Sequence, residues 1–309
     1  MFKSKKELLK NTKNIMTTNL PETKVLGKQT SYPRHYSPDI LVAVPRTINR
    51  EIYDIYEDSL PFTGIDVWHL YELGFLTEKG LPVAGVLKMI YPAGSPFLVE
   101  SKSLKLYLNS FNMEHYGKNP TEGIEIILDL IRKDLSELLK CEVGLCFFDE
   151  QKQTSPFDFS EYSILEKCAG VESISFSNYI ETPELLFDGN NPETEIKAAT
   201  HLLRSNCKIT QQPDWGSAYI FMKGNNIPSN ESLLRYLVSI RNENHFHEEI
   251  CEMIYQRLWT LFSPEKLMVT CIYTRRGGID ICPVRVSHKE LIPEYLGNYR
   301  QLSSKLLRQ

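Results

Sequence analysis

Apolar residues recur at helical spacing in several long stretches of this chain and cluster in short runs between them. The clearest stripe is Ile124, Ile127, Leu128, Leu130, Ile131, Leu135 and Leu138, and it predicts an amphipathic helix over Pro120–Leu139. A second helix is expected over 101–113 from Leu104, Leu106, Leu108 and Phe111. A third is expected over 229–241, with Ser229 as N-cap and Leu233, Leu234, Leu237 and Ile240 on one face. A fourth runs from about Phe246 to Phe262. Strand-like runs fill the gaps. Leu81–Met89 and Phe97–Glu100 read as partners around the turn PAGSP, and 142–149 and 157–165 are β-rich. Thr200–Ser205 and Ser217–Lys223 read as strands, and 267–286 as a hairpin turning on Gly277–Gly278.

Each half thus reads strand, strand, helix, helix, strand, strand. An α+β module repeated in tandem, with antiparallel sheets and paired helices on one face, accounts for the 309 residues. The expected layout is a disordered polar tail over 1–24, a first module over 25–165 that begins as an extended arm, a turn-rich linker over 166–195, and a second module over 196–309. No strand–helix alternation of the doubly wound kind is present and no GxGxxG follows a strand. A nucleotide, if bound, sits outside a Rossmann fold.

The 42% hydrophobic and 24% charged fractions are those of a soluble globular protein. The net charge of −4 argues against a nucleic-acid partner held on a broad basic face, but leaves room for a small anion held by a few local cations. The cysteine count is odd, at seven, with no CxxC pair, which predicts free thiols. The lysine-rich start is followed by no apolar run of signal length, and no stretch reaches membrane-spanning length. A cytoplasmic protein with no membrane partner is expected.

Four constellations carry candidate chemistry. In SNCKITQQPDWGS, Cys207 ends a strand and Asp214 follows seven residues on; a thiol nucleophile needs a group that moves its proton, and a carboxyl across a short loop can do so. In VESKSLKLYLNSFN, Glu100 precedes a helix start at Ser101, where free N–H groups favour anions, and Lys102 and Lys105 share a side of that helix. In NENHFHEEICE, His245, His247 and Cys251 are too few and too loosely spaced for a zinc site, and a His247–Glu248 pair for a polar ligand is the better reading. In YTRRGG, Arg275 and Arg276 sit beside two glycines at a hairpin tip, which suits a phosphate. Taken singly, each segment also has an ordinary structural explanation: a core thiol, a capped helix, a helix start and a solvated turn.

Together the segments resemble one family, the NADPH-dependent 7-cyano-7-deazaguanine reductases, or QueF family, in its long two-module form. The string Glu100-Ser101-Lys102-Ser103-Leu104-Lys105-Leu106-Tyr107 matches the family signature throughout; QPDWG after Cys207, FHE at 246–248 and RRGG at 275–278 match as well, and the likeness runs from about residue 26 to the C-terminus. The resemblance implies the tunnelling fold and a homodimer. It implies reduction of a deazapurine nitrile to an aminomethyl group, with two NADPH consumed, in the queuosine tRNA-modification pathway. It implies Cys207 as the nucleophile that forms a thioimide and Asp214 as proton donor. Val99, Glu100, Ser101, His247 and Glu248 would contact the small-molecule substrate, Ser101, Lys102, Arg276 and Gly277 would hold NADPH, and no metal is implied. A cysteine hydrolase or amidinotransferase built on Cys207, His247 and Asp214, and a purine-binding scaffold without turnover, are the rival readings of the same residues.

Overall fold

The computed structural model describes residues 32–150, 156–187, 193–307 and 309. The tail expected over 1–24 and the first residues of the arm lie outside them. In chain order the elements are β1 (Ala43–Pro45), α1 (Thr47–Arg50), β2 (Thr63–Leu76), β3 (Pro82–Pro92), β4 (Phe97–Val99), α2 (Ser101–Asn109), α3 (Pro120–Leu139), β5 (Gly144–Phe148), β6 (Ser163–Ile164), β7 (Glu195–Cys207), β8 (Pro213–Lys223), α4 (Asn230–Ser239), β9 (Asn244–His245), α5 (His247–Phe262), β10 (Lys266–Tyr273), β11 (Ile279–Val286) and α6 (Glu294–Gly297), with short 3-10 turns between.

The fold is mixed α+β. One nine-stranded sheet runs in the order β5-β3-β2-β11-β10-β8-β7-β6, with β9 also beside β7. All its pairings are antiparallel except those of β6 and β9, which lie parallel to β7. The first and second halves of the chain meet inside this sheet. β2 pairs with β11 from Thr63 opposite Val286 to Leu70 opposite Ile279, so a continuous hydrogen-bonded ladder joins them.

Apolar side chains are buried on both faces of the sheet. On β2 the adjacent residues Val67 and Trp68 enter different hydrophobic clusters, and on β10 Cys271 and Ile272 do the same. This explains why β2, the longest strand, is hard to read from sequence: a strand covered on both sides loses the two-residue alternation that marks a half-buried one. The helix α3, by contrast, has the predicted bounds. Asn119 caps it by accepting from the Glu122 N–H, Pro120 opens it, and Lys140 ends it in a left-handed conformation.

Four expectations need correction. Phe97–Val99 does not pair with the strand before the PAGSP turn; it pairs with β1, because that turn sends the chain under the arm, and β3 pairs with β2 and β5 instead. Of the β-rich segment 157–165 only Ser163–Ile164 joins the sheet, and it does so beside β7 of the second half. β7 starts at Glu195, five residues earlier than expected. The first helix ends at Asn109, short of residue 113.

The arm is held by buried charge. Arg46 donates to Asp66 on β2 at 2.5 Å. Arg50 grips both oxygens of Glu252 on α5 at 2.9 and 2.7 Å, and Arg285 on β11 bonds Asp66 at 2.8 Å and Glu252 at 2.8 Å. All five groups are buried. Burial pushes the Glu252 carboxyl up, but Arg285, Arg50 and Arg46 outweigh it and hold the group at about 2. The lock joins β1–α1, β2, α5 and β11, the elements that surround the site.

Candidate active site

Where the lock ends, a cavity of about 310 Å³ opens between the halves. Every site residue that the family resemblance implies lines it: Val99, Glu100, Ser101 and Lys102 from the first half, and Cys207, Asp214, His247, Glu248, Arg276 and Gly277 from the second; Arg275 and Cys251 do not. A single chain therefore supplies both walls.

Cys207 is the last residue of β7 and half-exposed. Its backbone is fixed on two sides. Its N–H donates to Gln212 and its carbonyl accepts from Gln211, closing the hairpin loop, and β9 lies alongside with His245 opposite it. Gln211 adopts a left-handed φ of 57° to make that loop. Across the hairpin Asp214 stands opposite Ser205, two residues before Cys207. Strand alternation then puts Cys207 and Asp214 on one face as diagonal neighbours, about 7–8 Å apart at the backbone, within reach of their side chains.

The Asp214 carboxylate is buried and does not stand alone. Arg276 forms an ion pair with its Oδ1, and His247 Nε2 lies 3.4 Å from Oδ2. Burial lowers His247 to about 3, so its ring is neutral and this approach is not an ion pair. The ring stacks on Tyr273 at 3.9 Å between centroids.

Two helix starts face the cavity. At α2 the Glu100 carboxylate is itself the cap, accepting from the N–H groups of Lys102 at 2.9 Å and Ser103 at 2.6 Å. The anion expected at this helix start is thus, in large part, the protein's own glutamate. Burial raises the Glu100 pKa, and these two backbone bonds oppose the rise. At α5, Glu248 is equally buried, but among the described residues its Oε1 has no hydrogen-bond partner. Burial and the nearby Asp66 charge push Glu248 up to about 8, so it holds a proton at neutral pH.

The residues weighed for a metal point apart. His245 bonds Glu249 and Tyr53, His247 faces Asp214, and Cys251 donates into the core to Val269. His69, Asp280 and Cys282 cluster within ligand distance on the buried sheet, yet the Lys305 ammonium already lies 3.2 Å from Asp280.

The rim is cationic. Lys102, Lys105 and Arg276 converge there, and the Lys105 ammonium donates to the Gly277 carbonyl at 2.8 Å. Gly277 and Gly278 both have positive φ, 58° and 77°, as a two-residue hairpin turn requires. Trp68, Gln212 and Phe246 also line the cavity and escaped notice in the sequence. Gln212 lay in plain view inside the QPDWG string. Trp68 carried no local signal, since only the pairing of β2 with β11 brings it to the cavity.

A half-exposed thiol, a buried carboxylate and three cations thus line one cavity, as an enzyme site requires. The comparisons with known proteins name its family. The family described as nitrile reductase, 7-cyano-7-deazaguanine-reductase N-term matches residues 32–147, and that described as QueF-like protein matches 213–291. A protein of Colwellia psychrerythraea is 40% identical over 272 residues, 87% of this chain and 93% of its own length. One of Acinetobacter baumannii strain SDF is 36% identical over 282 residues, 91% of this chain and 99% of its own length. Both bear the name NADPH-dependent 7-cyano-7-deazaguanine reductase. Among solved structures, the archaeosine synthase QueF-Like in its apo form is 17% identical, covers 30% of this chain and 93% of its own, and has a TM-score of 0.29. The chain belongs to the 7-cyano-7-deazaguanine reductase family.

Proposed function

We propose that this protein reduces the nitrile of 7-cyano-7-deazaguanine to a primary aminomethyl group, with NADPH as reductant, in queuosine biosynthesis. The observation that carries the reading is the diagonal placement of Cys207 and Asp214 across the β7–β8 hairpin, inside a cavity that Glu100, His247 and Glu248 also line.

The Cys207 sulfur attacks the nitrile carbon. One π bond of the C≡N opens, an S–C bond forms, and the thiol proton passes by way of Asp214 to the nitrogen, leaving a neutral thioimide. Asp214 starts this step as a carboxylate, which its Arg276 partner favours, and so serves first as acceptor and then as donor. Neutral His247, stacked on Tyr273, flanks Asp214 without adding charge. Glu248 gives up its proton to accept from the N–H edge of the deazapurine, and Glu100 contacts the same ligand with the lone pairs its cap bonds leave free; Val99 and Ser101 complete that wall. The residues fit the cofactor as well. Lys102 has no ion-pair partner among the described residues, and the Gly277 turn exposes backbone at the rim, so Ser101, Lys102, Arg276 and Gly277 together suit an anionic dinucleotide. Bound NADPH would supply one hydride to the thioimide carbon; the C–S bond then breaks, returning the Cys207 thiol and leaving an imine, and a hydride from a second NADPH would complete the amine.

The repeat of hairpin and helix pair in each half supports two tandem tunnelling-fold modules. The outer edge of β5, unpaired among the described residues, supports a homodimer that extends the sheet. No helix of the described residues is long and apolar enough to cross a membrane, in keeping with a cytoplasmic enzyme.

The test is the loss of NADPH absorbance on adding 7-cyano-7-deazaguanine, with the amine identified by mass. No loss of absorbance in the presence of both ligands overturns the reading.

A further inference from the structure

One guanidinium stands between two claims on it. Arg276 Nη1 pairs with Asp214 Oδ1, and its Nη2 donates to Gln212 Oε1 at 2.9 Å. The turn that carries it is pinned elsewhere. Lys105 donates to the Gly277 carbonyl and pairs with Glu72 at 3.0 Å, the Tyr71 N–H donates to the Gly278 carbonyl at 2.9 Å, and the Arg275 guanidinium lies 3.5 Å from the Tyr71 ring centroid. The backbone of the turn is thus held, and the Arg276 side chain, about a third exposed where Asp214 is almost wholly buried, is the part free to move.

We propose that Asp214 and the anionic cofactor compete for Arg276, so that cofactor binding uncouples Arg276 from the group that moves protons for Cys207. The proposal rests on the reading of Arg276 as a cofactor contact and goes beyond it. A phosphate at the rim draws the guanidinium outward, and the other groups at Asp214 do not replace it: His247 is neutral and Cys207 brings no cation. Asp214 is then a buried carboxylate without its counter-charge, a state relieved by taking a proton from solvent. In the free protein Asp214 is poised to accept the thiol proton; with the cofactor in place it is poised to donate. One side chain thereby times both roles, and linkage requires the effect to run both ways: what binds Arg276 weakens its hold on Asp214, and what Asp214 holds is withheld from the cofactor.

The test is the dissociation constant of NADP⁺, measured by fluorescence titration, for the wild-type protein and for Asp214→Asn, Arg276→Gln and the double variant. Asp214→Asn is expected to tighten NADP⁺ binding about fivefold or more, the low end of ordinary coupling between sites. Arg276→Gln is expected to weaken it, and Asp214→Asn on that background to change nothing. If Arg276→Gln weakens binding but Asp214→Asn leaves it unchanged, the competition is wrong and the cofactor assignment stands. If Arg276→Gln leaves affinity unchanged, the assignment and the proposal both fall. A crystal structure of the unmodified protein with NADP⁺ bound gives a check free of folding defects. Arg276 turned from Asp214 to a phosphate supports the proposal, and Arg276 still paired with Asp214 overturns it.

Discussion

Glu248 and Glu252 stand one helical turn apart on α5, both buried, and burial alone drives both carboxyls the same way. Yet Glu252 is held at about 2 and Glu248 is pushed up to about 8. The difference lies in what surrounds them. Glu252 is bonded by Arg50 and Arg285 and lies 3.6 Å from Arg46, and its charge is spent tying the arm to the sheet. Glu248 lines the cavity, its Oε1 without a hydrogen-bond partner among the described residues, and the nearby Asp66 charge opposes its ionisation. Buried charges that are mutually satisfied belong to the architecture; a buried carboxyl left unsatisfied beside a cavity is a candidate ligand contact.

The comparison can be broken by substitution. The largest effect is expected at the cavity, without harm to the lock. Cys207→Ala should abolish both turnover and the covalent adduct with the nitrile, read by intact mass, while the melting temperature stays near that of the wild type. An adduct surviving in this variant moves the nucleophile elsewhere. Glu252→Ala should do the reverse. It leaves three buried guanidiniums short of their anion and should cost roughly 3–5 kcal/mol of stability in denaturant titration. A loss below about 1 kcal/mol would mean that the lock holds nothing.

The two carboxyls should also give opposite slopes of stability with pH. The folded-state pKa of Glu252 is lowered, so its contribution is present above about 4.5 and is lost as pH falls from there towards 2. That of Glu248 is raised, so the folded state keeps a proton the unfolded chain gives up; stability drains as pH rises from about 4.5 to 8 and levels off beyond. Glu248→Gln should flatten that second slope, leave the acid limb untouched and weaken nitrile binding. A slope unchanged in the variant assigns it to another group. The smallest effect is expected where the two functions overlap. Glu100→Gln keeps one cap acceptor and puts an NH2, which cannot accept, in place of the other, for a loss of about 0.5–2 kcal/mol together with weaker nitrile binding. A change in affinity with no change in stability would remove the cap from the account.

How much of this was legible in the chain follows from range. Helices α3 and α4, the Ser229 cap of the latter, and the glycine turn at 277–278 declare themselves within a dozen residues, and there sequence and structure agree closely. β2 does not, because both its faces are covered and it holds the buried polar residues Asp66 and His69, which no local pattern explains. The site shows the same division. The strings around Cys207, Glu100, His247 and Arg276 nominate the residues that line the cavity, but their states are set by partners far off in sequence. Asp66 reaches Glu248 from β2, Arg276 reaches Asp214 from the next hairpin, and Arg46 and Arg50 arrive from an arm read only as extended.

The cavity has depth, and depth imposes a queue. Val44, Trp68 and Ile281, all buried strand residues, line it together with the more exposed cations Lys105 and Arg276. A flat ring seated on those strand residues would lie behind whatever the cations hold. On the proposed assignment of ligands, the nitrile would enter first and a dinucleotide that arrives early would bar the way. Initial rates at low nitrile should therefore fall as NADPH is raised, and rates that only climb would mean a second entrance. On that reading, Trp68 and Arg276 would set the calendar of the reaction as firmly as Cys207 would set its chemistry.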